Sequence, residues 1–119
     1  METNSYKDLI VWQKALDLVH EIYKVTRQFP KSEVYALASQ MQRAAVSIPS
    51  NTAEGQSRNH KPEFIQYLYI AYGSSSELET QVLISKREYP DLEYSAIEKQ
   101  IDILQKMLMG LIKGIRSRN

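Results

Sequence analysis

Asp17-x-x-His20 places a carboxylate and an imidazole one helical turn apart, a spacing from which helix bundles build carboxylate-bridged metal pairs. Such a centre needs a Glu from each of two helices and a Glu-x-x-His from each of two others. The chain has two histidines, and His60 falls in a linker, so the set is incomplete. A solvated His20, flanked by Lys24 and Arg27, is the expectation, with no metal and no cofactor. The absence of cysteine removes disulfides, thiolate zinc sites and cysteine nucleophiles. Ser74, Ser75 and Ser76 follow Gly73, but no histidine is placed to activate them, and small side chains there suit two helices approaching closely. Gly55, Gly73, Gly110 and Gly114 are too scattered for a phosphate-cradling loop. No acid–base pair stands out, which points away from an enzyme.

Three further groups carry polar chemistry. Glu79 projects on the side of Leu68, Tyr72, Ser75 and Val82, where a carboxylate needs a partner such as Arg43, a tyrosine hydroxyl or a neighbouring subunit. Gln40, Ser47, Asn51 and Glu54 form a polar strip beside the apolar stripe of the second helix, with Arg43 and Ser50 farther out. Side chains so close to a core are expected to hydrogen-bond a neighbouring helix. Basic residues gather at Lys86 and Arg87 and at Lys113, Arg116 and Arg118, where they complement helix dipoles and, repeated around a ring, would offer phosphates a contact surface.

The elements that must position these groups are helices. The chain has 119 residues, 43% of them apolar, which suits one domain, here taken as 1–119. The spacing predicts helices over about 5–29, 32–54, 62–89 and 92–116, divided by Pro30, Gly55 and Pro90. Pro49 falls inside the second and should kink it. No run alternates as a strand would, so the expected fold is all-α, an antiparallel up-down four-helix bundle. Fifteen Lys and Arg against fourteen Asp and Glu give a net charge of +1, unlike a protein built mainly to coat nucleic acid. The polar N-terminal residues and the lack of a long apolar run imply a cytoplasmic protein without a membrane span.

The first helix carries more apolar surface than one seam requires. Leu9, Trp12, Leu16, Val19, Tyr23 and Thr26 form one stripe; Val11, Leu18, Ile22, Val25 and Phe29 form a second, roughly 120° around at about 100° per residue. With the Trp12 stripe turned inward, the second is expected to meet another copy of the chain. Ile103 and Met107 flank the main stripe of the fourth helix in a milder version.

The same residues resemble a family. Leu9-x-Val11-Trp12-x-x-Ala15, Ile22-Tyr23 and Phe29-Pro30 begin the likeness. Gln40-x-x-Arg43-Ala44-Ala45-x-Ser47-Ile48 and Asn51-x-Ala53-Glu54-Gly55 carry it most strongly. Arg58, Phe64, Leu68, Ala71-x-Gly73-Ser74 and Glu77-Leu78 continue it, covering nearly all of the chain to Tyr89. The chain thus resembles the four-helix proteins encoded by intervening sequences in bacterial 23S ribosomal RNA genes, departing at Thr52, where isoleucine is usual. The resemblance implies a helical bundle that assembles as a ring, a homopentamer, and it supplies no reaction. The expected function is a non-enzymatic oligomeric scaffold or adaptor, with Arg43, Asn51, Glu54, Arg58 and Glu77 shaping a structural or partner-binding surface. The alternative is an RNA- or DNA-binding ring, similar to the accessory proteins of diversity-generating retroelements, using Lys86, Arg87, Lys113, Arg116 and Arg118.

Overall fold

The computed structural model describes residues 5–118. Four helices form: α1 (Ile10–Thr26), α2 (Leu37–Ser57), α3 (Lys61–Glu88) and α4 (Ser95–Arg116), with no strand among the described residues. Pairs of contacts show that successive helices run antiparallel. Gln42 Nε2, early in α2, donates to Thr26 Oγ1 at the end of α1 (3.0 Å). Ser47 and Ser74 share a 2.7 Å hydrogen bond midway along α2 and α3, while Arg58 beyond α2 reaches the Tyr67 hydroxyl near the start of α3 (2.8 Å). Lys86 at the end of α3 meets Glu98 at the start of α4 (3.0 Å), and the Arg116 guanidinium at the end of α4 stacks on the Tyr69 ring near the start of α3 (5.2 Å).

Local chemistry sets the boundaries and moves several of them. Ser5 caps a single 3-10 turn, Tyr6–Asp8, by accepting from the Lys7 amide (3.1 Å); extended Leu9 separates that turn from α1. α1 ends at Thr26, after which the Gln28 and Phe29 amides turn to the Val25 and Thr26 carbonyls (3.1 Å each) in 3-10 fashion, so Phe29 lies beyond the helix. Ser32 begins no long helix: Lys31–Glu33 is one 3-10 turn, and α2 starts at Leu37, whose amide donates to the Glu33 carboxylate (3.3 Å). Pro49 sits within an unbroken α2, where its ring leaves the Ala45 carbonyl without the usual helical donor.

Gly55 does not stop α2, which continues through it to Ser57. Glycine is required there by proximity, since a Cβ at this position would lie 2.6 Å from the Tyr67 Cβ and 3.2 Å from the Phe64 ring. The α2–α3 seam is therefore the close one, lined by Ser47, Ser74 and Gly55, as the small residues of α3 predict.

The core is built from Leu18 and Ile22 of α1, Met41 and Ile48 of α2, Leu68 and Leu78 of α3, and Ile101, Leu104, Leu108 and Ile112 of α4, all fully buried. Each such side chain stabilises the fold by about 1.5–3 kcal/mol relative to exposure. The apolar spacing marks Phe64, Leu68, Ala71, Ser75, Leu78 and Val82 as the inner stripe of the third helix and Tyr94, Ile97, Ile101, Leu104, Leu108, Leu111 and Ile115 as that of the fourth; these point inward, save that Phe64 and Leu111 are half-buried. The faces of α1 are exchanged. Val11, Leu18, Ile22, Val25 and Phe29 are buried in their own chain, and Trp12, Val19 and Tyr23 lie half-buried at the margin. These five residues therefore cannot form the subunit contact expected of them, and any contact between copies must use other side chains. The physical reason is that α1 packs on α2 and α4 at once. Its buried arc is centred on the line of Val11, Ile22 and Phe29, not on that of Trp12.

Candidate interaction surface

The polar strip of α2 lies along its seam with α3. Asn51 Nδ2 donates to both the carbonyl and the hydroxyl of Ser47 (2.8 Å each), which positions the Ser47 hydroxyl against Ser74. This cross-helix network is what polar residues beside a core require. Two turns farther on, Arg58 donates to Glu54 (3.0 Å) and to the Tyr67 hydroxyl while its guanidinium covers the Tyr67 ring (5.3 Å). Interaction with Tyr67, and then with Glu54, raises the pKa of Arg58 above its ordinary value. Glu63 stands 3.9 Å from the same guanidinium and 3.2 Å from the His60 ring.

Of the residues expected to shape a partner-binding surface, Asn51 is half-buried in the seam and Arg43, Glu54, Arg58 and Glu77 are exposed. Among the described residues, neither Arg43 nor Glu77 is in an ion pair. Arg43 lines a shallow groove of about 430 Å³ between α1 and α2, together with Tyr23, Ser39, Gln42, Val46 and Ser47. Glu79 is not buried. It faces solvent at the edge of α4 and accepts only a long hydrogen bond from Gln105 (3.4 Å), because α3 turns its core face toward Leu78 and Val82.

The five basic residues offered for nucleic acid do not form one site. Antiparallel packing puts Lys86 and Arg87 at one end of the bundle and Lys113, Arg116 and Arg118 at the other. The seventeen residues from Tyr69, which Arg116 covers, to Lys86 span about 25 Å of helix. Lys86 is moreover paired with Glu98.

Two outward apolar surfaces emerge instead. One combines Trp12, Leu16, Val19 and Tyr23 of α1 with Val46 of α2, where Leu16 is 42% exposed. The other, absent from the sequence reading, is on α3, where Leu83 (52% exposed) and Ile84 (46%) lie near its end; Tyr69 and Ile70 form a separate exposed pair near its start, about 20 Å away along the helix. The signal was present in the adjacent apolar pairs Tyr69–Ile70 and Leu83–Ile84, since two neighbours about 100° apart cannot both lie on one narrow stripe.

Among the described residues, no group of three or more His, Cys, Asp or Glu is arranged to hold a metal ion, and no helix is long and apolar enough to cross a membrane. The 23S rRNA-intervening sequence protein family matches residues 7–110. A crystal structure of a protein with unknown function from the S23 ribosomal protein family, from Bacteroides thetaiotaomicron, shares the fold. Its TM-score is 0.79 at 22% identity, covering 87% of this chain and 99% of the other. No curated relative matches the chain.

Proposed function

The chain belongs to the 23S rRNA-intervening sequence protein family, and from that premise we propose that it is a non-enzymatic helical scaffold that works as a ring of identical subunits. The supporting observation is the pair of outward apolar surfaces on different helices, one on α1 and α2, the other the Leu83–Ile84 pair near the end of α3. Scattered apolar side chains are ordinary on a protein surface, but grouped ones on two faces call for cover. Two unlike faces on one chain favour a head-to-tail contact, in which one surface of each copy meets the other surface of the next. Such contacts close into rings when the rotation permits. Five copies is the number the family resemblance implies; Arg43, which shares its groove with Tyr23 and Val46, and Glu77, two turns before Ile84 on the same side of α3, lie at the margins of the two faces. A cytoplasmic location is part of the same proposal.

Complementation tests this reading. Leu16→Glu spoils one face and Ile84→Glu the other, and both positions are exposed, so each variant should fold. Each alone should be monomeric by light scattering, and an equimolar mixture should form a two-chain complex through the one intact pair of faces. A mixture that stays monomeric would contradict the head-to-tail arrangement. Variants that keep the unmodified mass would show that these faces are not the contact.

A further inference from the structure

The near-neutral total hides a polarised molecule. At the end where α2 and α4 finish and α3 begins, Arg58, Lys61, Lys113, Arg116 and Arg118 face, among the described residues, only Glu54 and Glu63. Lys7 and Asp8 beside them cancel. Both carboxylates lie within 4 Å of Arg58, whereas Lys61, Lys113, Arg116 and Arg118 are in no ion pair among the described residues. Lys61 Nζ donates to the Arg118 carbonyl (3.1 Å), which ties the start of α3 to the tail of α4 and holds these cations in one neighbourhood. The C-terminal carbonyl dipole of α4 balances only part of this charge. The opposite end is unlike it: six cations, Lys24, Arg27, Lys31, Lys86, Arg87 and Lys99, are interspersed with six anions, Glu21, Glu33, Glu88, Asp91, Glu93 and Glu98, and cancel.

The second feature of this end is aromatic. The Arg116 guanidinium lies 5.2 Å over the exposed Tyr69 ring, and that of Arg58 lies 5.3 Å over Tyr67. A guanidinium stacked on a tyrosine is a flat, cationic platform held at fixed orientation, able to stack on a base while its N–H groups reach a phosphate. An acidic peptide would use the charge but not the platform.

We propose that this end of the bundle binds single-stranded nucleic acid, with Lys61, Lys113, Arg116 and Arg118 on the phosphates and the Arg116–Tyr69 stack beneath a base. The site lies within one subunit and does not depend on the ring. Lys86 and Arg87, 25 Å or so away along α3, are outside it.

Fluorescence anisotropy with a labelled single-stranded RNA oligonucleotide tests the assignment, with the duplex of the same sequence and polyglutamate as comparison ligands. Binding should weaken linearly in log–log salt plots with a slope of about −0.7 for each phosphate contacted. Lys113→Glu with Arg118→Glu should weaken binding at least tenfold and flatten the slope, and Tyr69→Ala should weaken it without flattening the slope. Lys86→Glu with Arg87→Glu, at the other end, should leave affinity within twofold. All four charge positions are exposed, so each variant should fold, with circular dichroism as the check. No binding at low ionic strength would overturn the proposal. So would equal loss from the Lys86 and Arg87 variant, tighter binding of the duplex, or polyglutamate binding as tightly as RNA.

Discussion

At Gly55 an alanine methyl would sit 2.6 Å from the Tyr67 Cβ, a backbone-anchored atom that cannot swing aside. Alanine ordinarily improves a helix by about 1 kcal/mol over glycine. Here overpacking of about 1–3 kcal/mol should outweigh that gain, and Gly55→Ala should lower the melting temperature by calorimetry; a rise would mean that α2 and α3 can separate freely. Glu79→Ala should leave stability within about 0.5 kcal/mol, since the carboxylate is exposed and has one long hydrogen bond. Tyr89 gives a pH dependence. Its hydroxyl donates a hydrogen bond to Glu33 and its ring packs on Phe29, and the Glu33 bond, burial and charge push its pKa up to about 12 from 10. A raised pKa means that the native state favours the protonated phenol, so its contribution is whole below pH 10 and is lost as pH climbs toward 12. Alkaline denaturation should therefore be steeper for the natural chain than for Tyr89→Phe, and equal curves would contradict the coupling. None of these three roles was readable from residue type. Gly55 looked like a helix stop because nothing in the chain says which atoms another helix brings near, and Glu79 looked buried because it projects on the side of Leu68, Ser75 and Val82, whereas the buried arc is centred farther round, toward Ala71 and Leu78.

Helix α1 shows what periodicity can and cannot decide. Both of its apolar stripes were legible, because residues at three- and four-residue spacing share a face whatever they pack against. Which stripe turns inward was not, since that depends on where α2 and α4 sit around it. Leu18→Ala should now cost about 2–5 kcal/mol, as a fully buried leucine leaving a cavity. Leu16→Ala should change stability little in a monomer and act on assembly instead. Reversed effects, measured by urea denaturation at low protein concentration, would restore the opposite orientation of the helix. For α3 and α4 the sequence stripes and the buried faces agree, because α4 in particular carries a single amphipathic seam with little apolar surplus. The polar strip of α2 was likewise readable as a cross-helix network, and the Ser47–Ser74 bond is its outcome.

At the scale of the whole molecule, the fold class was legible from four periodic segments and their proline breaks. The distribution of charge was not: a sum of +1 carries no information about ends, and only antiparallel packing separates Lys86 and Arg87 from Lys113, Arg116 and Arg118. The same packing leaves apolar side chains on the outside of both α1 and α3, and the ring reading depends on that surface being covered by another copy. The most direct test is the mass of the unmodified protein by size-exclusion chromatography with light scattering at micromolar concentration. The account predicts a species several times the 13.8 kDa of one chain that persists on dilution. A single species at 13.8 kDa would contradict it.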